Sequence, residues 1–310
     1  MIPGDKTPIV LLGANGQLGT DLSRQFQSET RELVALTRQD VDVRSHEQVA
    51  LTMERLRPGV IVNTAAFHKV EACEDDVEQA FAVNCIAVRN LARVADRLGS
   101  YLVHLSTDYV FDGEGRTPYA EDSPPNPINV YGASKAAGEF FVRNSCRRHL
   151  IVRSSGLFGL AGSSGKGGNF IQTMLRLGRE RGVVSVVTDQ ILSPTYTADL
   201  ADMIWRLVAA ESQGVYHVTN RDSCSWYEFA RSIFELSGVP SEVQPVTTAS
   251  MNSTVRRPRY SVLANRRLES TGFGLMRPWS QALDSYLQAA GVKLGPGRAA
   301  LQVGVKGATN

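Results

Sequence analysis

Short apolar runs alternate with stretches of helical spacing along the first half of the chain. Ile9-Val10-Leu11-Leu12 reads as a buried strand, and Leu18, Leu22 and Phe26 behind it share one helix face. Leu33-Val34-Ala35-Leu36 and Val60-Ile61-Val62-Asn63 repeat the strand signature on either side of a helix expected over 48–56. A long helical region follows over about 77–98, then a strand over 101–106. A Pro-rich loop leads to a helix over about 131–144 and a strand, Leu150-Ile151-Val152. Beyond Gly156 the pattern loosens. A Gly/Ser-rich stretch over 159–168 reads as a mobile loop, and helices are expected near 197–210, 226–236 and 279–289, with isolated short strands between them.

Parallel strands need crossover connections, so strands that alternate with helices imply a parallel sheet covered on both faces. The expected architecture is therefore α/β: a Rossmann-like, doubly wound parallel sheet with a smaller C-terminal α/β unit. The boundaries expected are 1–156 for the sheet unit, rejoined by about 185–215, then 157–293 for the interleaved second unit and 294–310 for a frayed tail.

Candidate chemistry begins at Gly13-Ala14-Asn15-Gly16-Gln17-Leu18-Gly19, which follows a strand and opens a helix. There the first glycine permits a tight turn, the second lets backbone approach a pyrophosphate, and the third allows close helix–strand packing. The helix start adds free amides and a positive dipole end. The spacing is G-x-x-G-x-x-G rather than G-x-G-x-x-G. The second strand ends in Leu36-Thr37-Arg38 with no carboxylate to accept ribose hydroxyls, and Arg38 suits either a 2′-phosphate or solvent. Tyr131 and Lys135 lie four apart on one helix face, where an ammonium would favour phenolate and lower the phenol's pKa. Ser106-Thr107-Asp108 ends the fourth strand, where open α/β sheets present ligand-binding groups, so Thr107 can bond a substrate oxygen while Tyr131 protonates it.

The glycine turn, Asn63-Thr64-Ala65-Ala66, Val83-Asn84, the run Ser106 to Gly113 and Tyr131-Gly132-Ala133-Ser134-Lys135 resemble the extended short-chain dehydrogenase/reductases. Within that superfamily the chain is most similar to the dTDP-4-dehydrorhamnose reductase family. Further matches run in family order over roughly residues 8 to 290: Gly138-Glu139, Asn169-Phe170, Asp189-Gln190, Pro194-Thr195, Asp199-Leu200, Cys224-Ser225-Trp226, Arg257-Pro258 and Ser261.

The resemblance implies hydride transfer from NADPH or NADH to the C4 ketone of dTDP-4-dehydro-6-deoxy-L-mannose, giving dTDP-L-rhamnose. Tyr131, Lys135 and Thr107 would be catalytic, with Tyr131 and Lys135 also touching the cofactor. Gly13, Asn15, Gly16, Gln17, Leu18, Gly19, Arg38, Ala65, Ala66 and Phe67 would bind it, with Asp42 and Val43 near its adenine unless Asp42 is merely a solvated turn residue. Thr107, Asp108, Asn169 and Arg257 would meet the substrate. Sugar-nucleotide dehydratases of the superfamily place Asp-Glu after the catalytic Thr. Here that pair is Asp108-Tyr109, and a phenol of pKa ~10 is a poor base for C5.

Three positions depart from the family pattern, and all touch the expected substrate pocket. Gly156 stands where an aromatic, typically Trp, is usual; His68 replaces a Thr; and Leu192 replaces a glycine. Three readings stand: Phe158 points into the pocket in place of that aromatic; the loop over 160–168 folds across the ligand, in which case Gly156→Trp should clash with it and raise KM; or Gly156 merely relieves a crowded turn and the substrate is unchanged. Rival readings are a reductase or epimerase of another nucleotide sugar, and a non-catalytic subunit resembling the regulatory subunit of methionine adenosyltransferase.

Composition removes other classes. The 33 basic and 31 acidic residues leave +2, which gives no footprint for nucleic acid. No apolar run approaches the ~18 residues of a membrane helix, and the first six residues hold no signal core, so a cytoplasmic location is expected. Cys73, Cys85, Cys146 and Cys224 lie far apart, which predicts free thiols and no metal site. A homodimer is the assembly kept in view.

Overall fold

The computed structural model describes residues 7–29, 32–162, 168–251 and 253–295. The middle of the Gly/Ser-rich loop, 163–167, and all but two residues of the expected tail lie outside the described residues.

Five strands, β1 (Ile9–Leu12), β2 (Leu33–Leu36), β3 (Val60–Asn63), β4 (Tyr101–Thr107) and β5 (His149–Ser154), join a sixth at Gly214–His217. All pairings are parallel, in the order β2-β1-β3-β4-β5 and then the Gly214–His217 strand. The order reverses at β1, so the crevice outside the carboxyl ends of β1 and β3 is where a ligand is expected. Ile9, Leu11, Val60 and Val62 pack against helix α1 (Gln17–Ser28) and the Thr197–Ala209 helix. Their neighbours Val10, Leu12 and Ile61 face the opposite layer: α2 (His46–Leu56), α5 (Ala87–Leu98) and α6 (Val130–Ser145). Burial on both faces explains why these strands read as unbroken apolar runs.

Two short helices, α3 (Val70–Asp75) and α4 (Val77–Phe81), precede a π-helical turn at Ala82–Ile86. The helix expected over 77–98 is thus interrupted. The widened turn buries Asn84, whose amide clamps the backbone of Phe67 by bonds of 2.9 and 2.8 Å and reaches the Ser134 hydroxyl at 3.0 Å.

A second body gathers around a separate core of Phe158, Ile171, Phe229, Ile233, Leu283 and Tyr286. It holds the helices Phe170–Arg181, Trp226–Ser237 and Trp279–Ala289, and its strand Val183–Val187 pairs in parallel with Glu242–Val246. The helix at Phe170–Arg181 escaped the sequence reading. Its signal was a capping box, Asn169 bonded to the Gln172 amide and the Gln172 side chain returned to Asn169.

Candidate functional site

The cleft is built around the turn that follows β1. Gly13 has φ +81°, and a Cβ there would lie 2.7 Å from Thr64 Oγ1 and 2.9 Å from the Ala65 nitrogen. Only glycine lets the turn approach the end of β3 this closely. At the start of α1, Gly16 supplies no side-chain cap and the first turn has no acidic residue. By contrast, Ser45 caps α2 and Asn129 caps α6 with their side chains. The uncapped amides fit a pyrophosphate, because they point outward at a positive helix end. The Gln17 side chain does not serve there: it donates to the Leu157 carbonyl and accepts from the Gly159 amide, both at 3.0 Å. Only its backbone N–H is left for an anion.

Val43, Asn63 and Ala65 line a small pocket with Leu12 and Val83 beside this turn. Arg38 is exposed at the end of β2, whereas Asp42 is bound by Arg44, whose guanidinium holds the carboxyl down at about 2. Its backbone is engaged as well, with the N–H given to Gln48 Oε1 at 3.1 Å and the carbonyl accepting the Ser45 N–H at 2.9 Å.

Tyr131 projects from the first turn of α6, which is fixed at its start by Asn129 and by the Val130 amide on Glu74 at 2.8 Å. Gly132 brings this turn against the Tyr109 carbonyl, where a Cβ would sit at 2.0 Å. The Tyr131 ring then packs edge-on to Tyr109, centroids 5.8 Å apart. Thr107 donates to Asp108 Oδ1 at 3.0 Å and accepts from the Tyr109 amide at 3.2 Å, and it also bonds the Tyr131 phenol. Behind it the Asp108 carboxyl, 3 % exposed, receives the hydroxyls of Ser155 at 2.8 Å and of Ser261. Burial pushes its pKa up. Asp108 thus faces hydroxyls rather than open cleft.

Lys135 lies one turn beyond Tyr131 and is 2 % exposed. Its Nζ donates to the Leu105 carbonyl at 2.6 Å and meets His104 Nε2 at 3.3 Å, and burial lowers its pKa to about 8. The expectation that this ammonium depresses the Tyr131 pKa is not met. Burial, with help from the Asp108 charge, pushes the phenol upward, and the amine is turned away to Leu105 and His104.

Two further expectations change. Asn169 caps its helix through Oδ1 and gives Nδ2 to the Gly159 carbonyl at 2.9 Å and the Tyr286 hydroxyl at 3.0 Å, so it serves the fold rather than a sugar. Phe158 is 1 % exposed within the second core, stacked on Tyr196, and offers no face to a ligand. Arg257, from the second body, pairs with Glu71 of α3, gives Nη1 to Ser253 at 2.8 Å and also bonds Tyr109. It stands where the two bodies meet beside Tyr131.

The profile described as RmlD substrate binding domain matches residues 7–292. The chain belongs to the RmlD substrate-binding domain family. It is 40% identical over 282 residues to the spore coat polysaccharide biosynthesis protein SpsK of Bacillus subtilis, covering 91% of this chain and 97% of that protein. A dTDP-4-dehydrorhamnose reductase of Burkholderia thailandensis is 38% identical over 293 residues, covering 89% and 96%. The crystal structure of dTDP-4-dehydrorhamnose reductase from Bacillus anthracis in complex with NADP superposes with a TM-score of 0.88 at 40% identity, covering 92% of this chain and all of that one.

Within this RmlD-family chain the missing aromatic has a structural counterpart. Gly156 has φ +53°, and a Cβ on it would lie 2.6 Å from Leu192 Cδ1 and 3.2 Å from Pro194 Cα. A larger residue at 156 therefore collides with Leu192, itself another of the three departures from the family pattern, before any loop is involved. Gly156→Trp should lower the melting temperature and raise KM. In a double-mutant cycle with Leu192→Ala the two losses should be less than additive, because truncating Leu192 opens the space the ring needs. Strict additivity in thermal melts would contradict this pairing.

Proposed function

We propose that this protein reduces the C4 ketone of dTDP-4-dehydro-6-deoxy-L-mannose to dTDP-L-rhamnose with NADPH or NADH. The observation that carries the reading is the convergence of Thr107, Tyr131 and Lys135 beside an uncapped glycine turn, at the reversal point of the sheet. In this reading the sheet unit holds the cofactor and the second body, through Arg257, holds the nucleotide sugar. When bound, the nicotinamide supplies the hydride for C4. The chain supplies the rest. The first-turn amides of α1 take the pyrophosphate, and Lys135 takes ribose hydroxyls. Tyr131 donates the proton that completes the C4 alcohol. Its raised pKa suits a donor, because the phenol stays protonated throughout neutral pH. Thr107, held by Asp108 and by the Tyr109 amide, bonds the Tyr131 oxygen and favours its ionised form, so it steadies the phenol oxygen as the proton leaves.

Tyr109 argues for reduction over dehydration. Burial drives its pKa above that of a free phenol, which leaves no base at that position to take a C5 proton. The test is a panel of nucleotide-sugar 4-ketones followed by loss of NADPH absorbance. Turnover on the dTDP-linked 6-deoxy ketone is expected; cofactor binding without turnover on any member would favour a non-catalytic subunit.

Cofactor choice gives a second expectation. NADPH should be used at least as well as NADH, since Arg38 is exposed at the end of β2 and guanidinium suits a 2′-phosphate. Arg38→Ala should raise KM for NADPH and leave that for NADH nearly unchanged; equal rises for both would contradict the assignment. A cytoplasmic location and a homodimer belong to the same proposal, the second tested by sedimentation.

A further inference from the structure

His104 is fully buried in β4, and its two ring nitrogens both meet polar neighbours. Nδ1 lies 3.3 Å from Asn63 Nδ2, and Nε2 lies 3.3 Å from Lys135 Nζ. The Asn63 amide is oriented independently, because its Oδ1 accepts the Ala65 N–H at 3.1 Å. Its Nδ2 must therefore donate to His104, which makes Nδ1 the acceptor and leaves the ring hydrogen on Nε2. That N–H points at Lys135. A neutral amine can accept it, whereas an ammonium would set donor against donor.

The other groups around Lys135 do not offset this. Glu139, one turn further along α6, is the carboxylate that favours the charged amine, yet both its oxygens are bound to Arg153 of β5 and one also receives Ser106. Tyr131, one turn earlier, remains a neutral phenol, and Asn63 of β3 carries no charge. The acceptor on β4 is the Leu105 carbonyl, at 2.6 Å.

We propose that His104, braced by Asn63, is a positioning residue for Lys135: it holds the amine against the Leu105 carbonyl and weakens its hold on a proton. The Asn63–Ala65 bond also ties this relay to the segment that meets Gly13, so the charge on Lys135 and the shape of the cleft floor are linked. The inference deepens the reductase reading, since it assumes that the Lys135 ammonium contacts a nicotinamide cofactor.

Binding and tautomer measurements test it separately from turnover. NADPH affinity, read by fluorescence without any sugar, should fall as pH rises through about 8 in the wild type, as Lys135 loses its proton. In His104→Gln the amide can turn its oxygen toward the ammonium. The fall should then move upward by about one pH unit, a tenfold change in proton affinity, while affinity on the acidic plateau stays near wild type. A weaker but unshifted profile would mean that His104 is only structural, and would overturn the proposal.

The second measurement needs no variant. His217, the other fully buried imidazole among the described residues, receives Arg153 Nη1 on Nε2 at 3.3 Å and so keeps its hydrogen on Nδ1. Nitrogen-15 NMR of histidine-labelled protein at mildly basic pH should show one buried ring of each tautomer. Two Nδ1–H rings would overturn the proposal even if His104→Gln fails to fold. Absence of NADPH binding in the wild type would defeat the cofactor reading instead, and the NMR result would still decide this one.

Discussion

Tyr131→Phe should lower kcat by about 10²–10⁴-fold, the usual worth of a positioned general acid, while fold and NADPH affinity persist. The change removes one oxygen whose partner is Thr107, and Thr107 keeps its bonds to Asp108 and the Tyr109 amide. The ring stays edge-on to Tyr109, so packing is unaltered. Because the interaction lost is with the reacting oxygen, kcat and kcat/KM should fall together. Activity above a tenth of wild type would remove Tyr131 from the proton-donor role. Lys135→Ala should differ from it by weakening NADPH binding as well.

Arg153→Ala should cost about 3–5 kcal/mol of stability, the range for breaking a buried ion pair by removing one partner. Arg153 is 1 % exposed and Glu139 is not exposed at all, with two bonds between them at 2.9 and 2.7 Å. The guanidinium also lies 5.1 Å from the centroid of the Phe111 ring and reaches His217 at 3.3 Å. Its removal leaves Glu139 with the Ser106 hydroxyl and empties a large volume in the interior. The pair joins α6 to β5 one turn below Lys135, so activity should fall with stability. Urea unfolding of the variant measures the cost directly. A loss below about 1 kcal/mol, typical of exposed pairs, would contradict the buried geometry. Replacing both partners with apolar residues of similar size should be milder than either single change, since no lone charge is then left inside.

These expectations differ in how much of them the sequence could carry. Five strands of the main sheet were legible as short apolar runs, and β1, β3 and β4 are buried throughout, whereas the edge strand Gly214–His217 was not, because it carries no such run. The π turn at Ala82–Ile86 was not, because apolar spacing continues through it and only the inward Asn84 marks it. Tyr131 and Lys135 could be paired by their four-residue spacing, which places them on one face. Their electrostatics could not be, since that depends on Leu105 and His104 from another element competing for the Lys135 amine. Asn169 shows a different limit: an asparagine in a family motif serves equally well to hold a ligand or a helix, and the Gln three residues later was the clue to the helix. Gly156 needed coordinates as well, because its left-handed backbone and the Leu192 methyl above it lie 36 positions apart in the chain.

The central claim is that one chain delivers hydride to C4 and a Tyr131 proton to the oxygen on that carbon. NADPH deuterated on its transferable hydrogen, incubated with dTDP-4-dehydro-6-deoxy-L-mannose, tests it most directly, with the product read by proton NMR and mass spectrometry. The account predicts one deuterium at C4 of dTDP-L-rhamnose for each NADPH oxidised, and almost none formed by Tyr131→Phe over the same interval. Product without label at C4, or interconversion of sugars with no net NADPH oxidation, would contradict it.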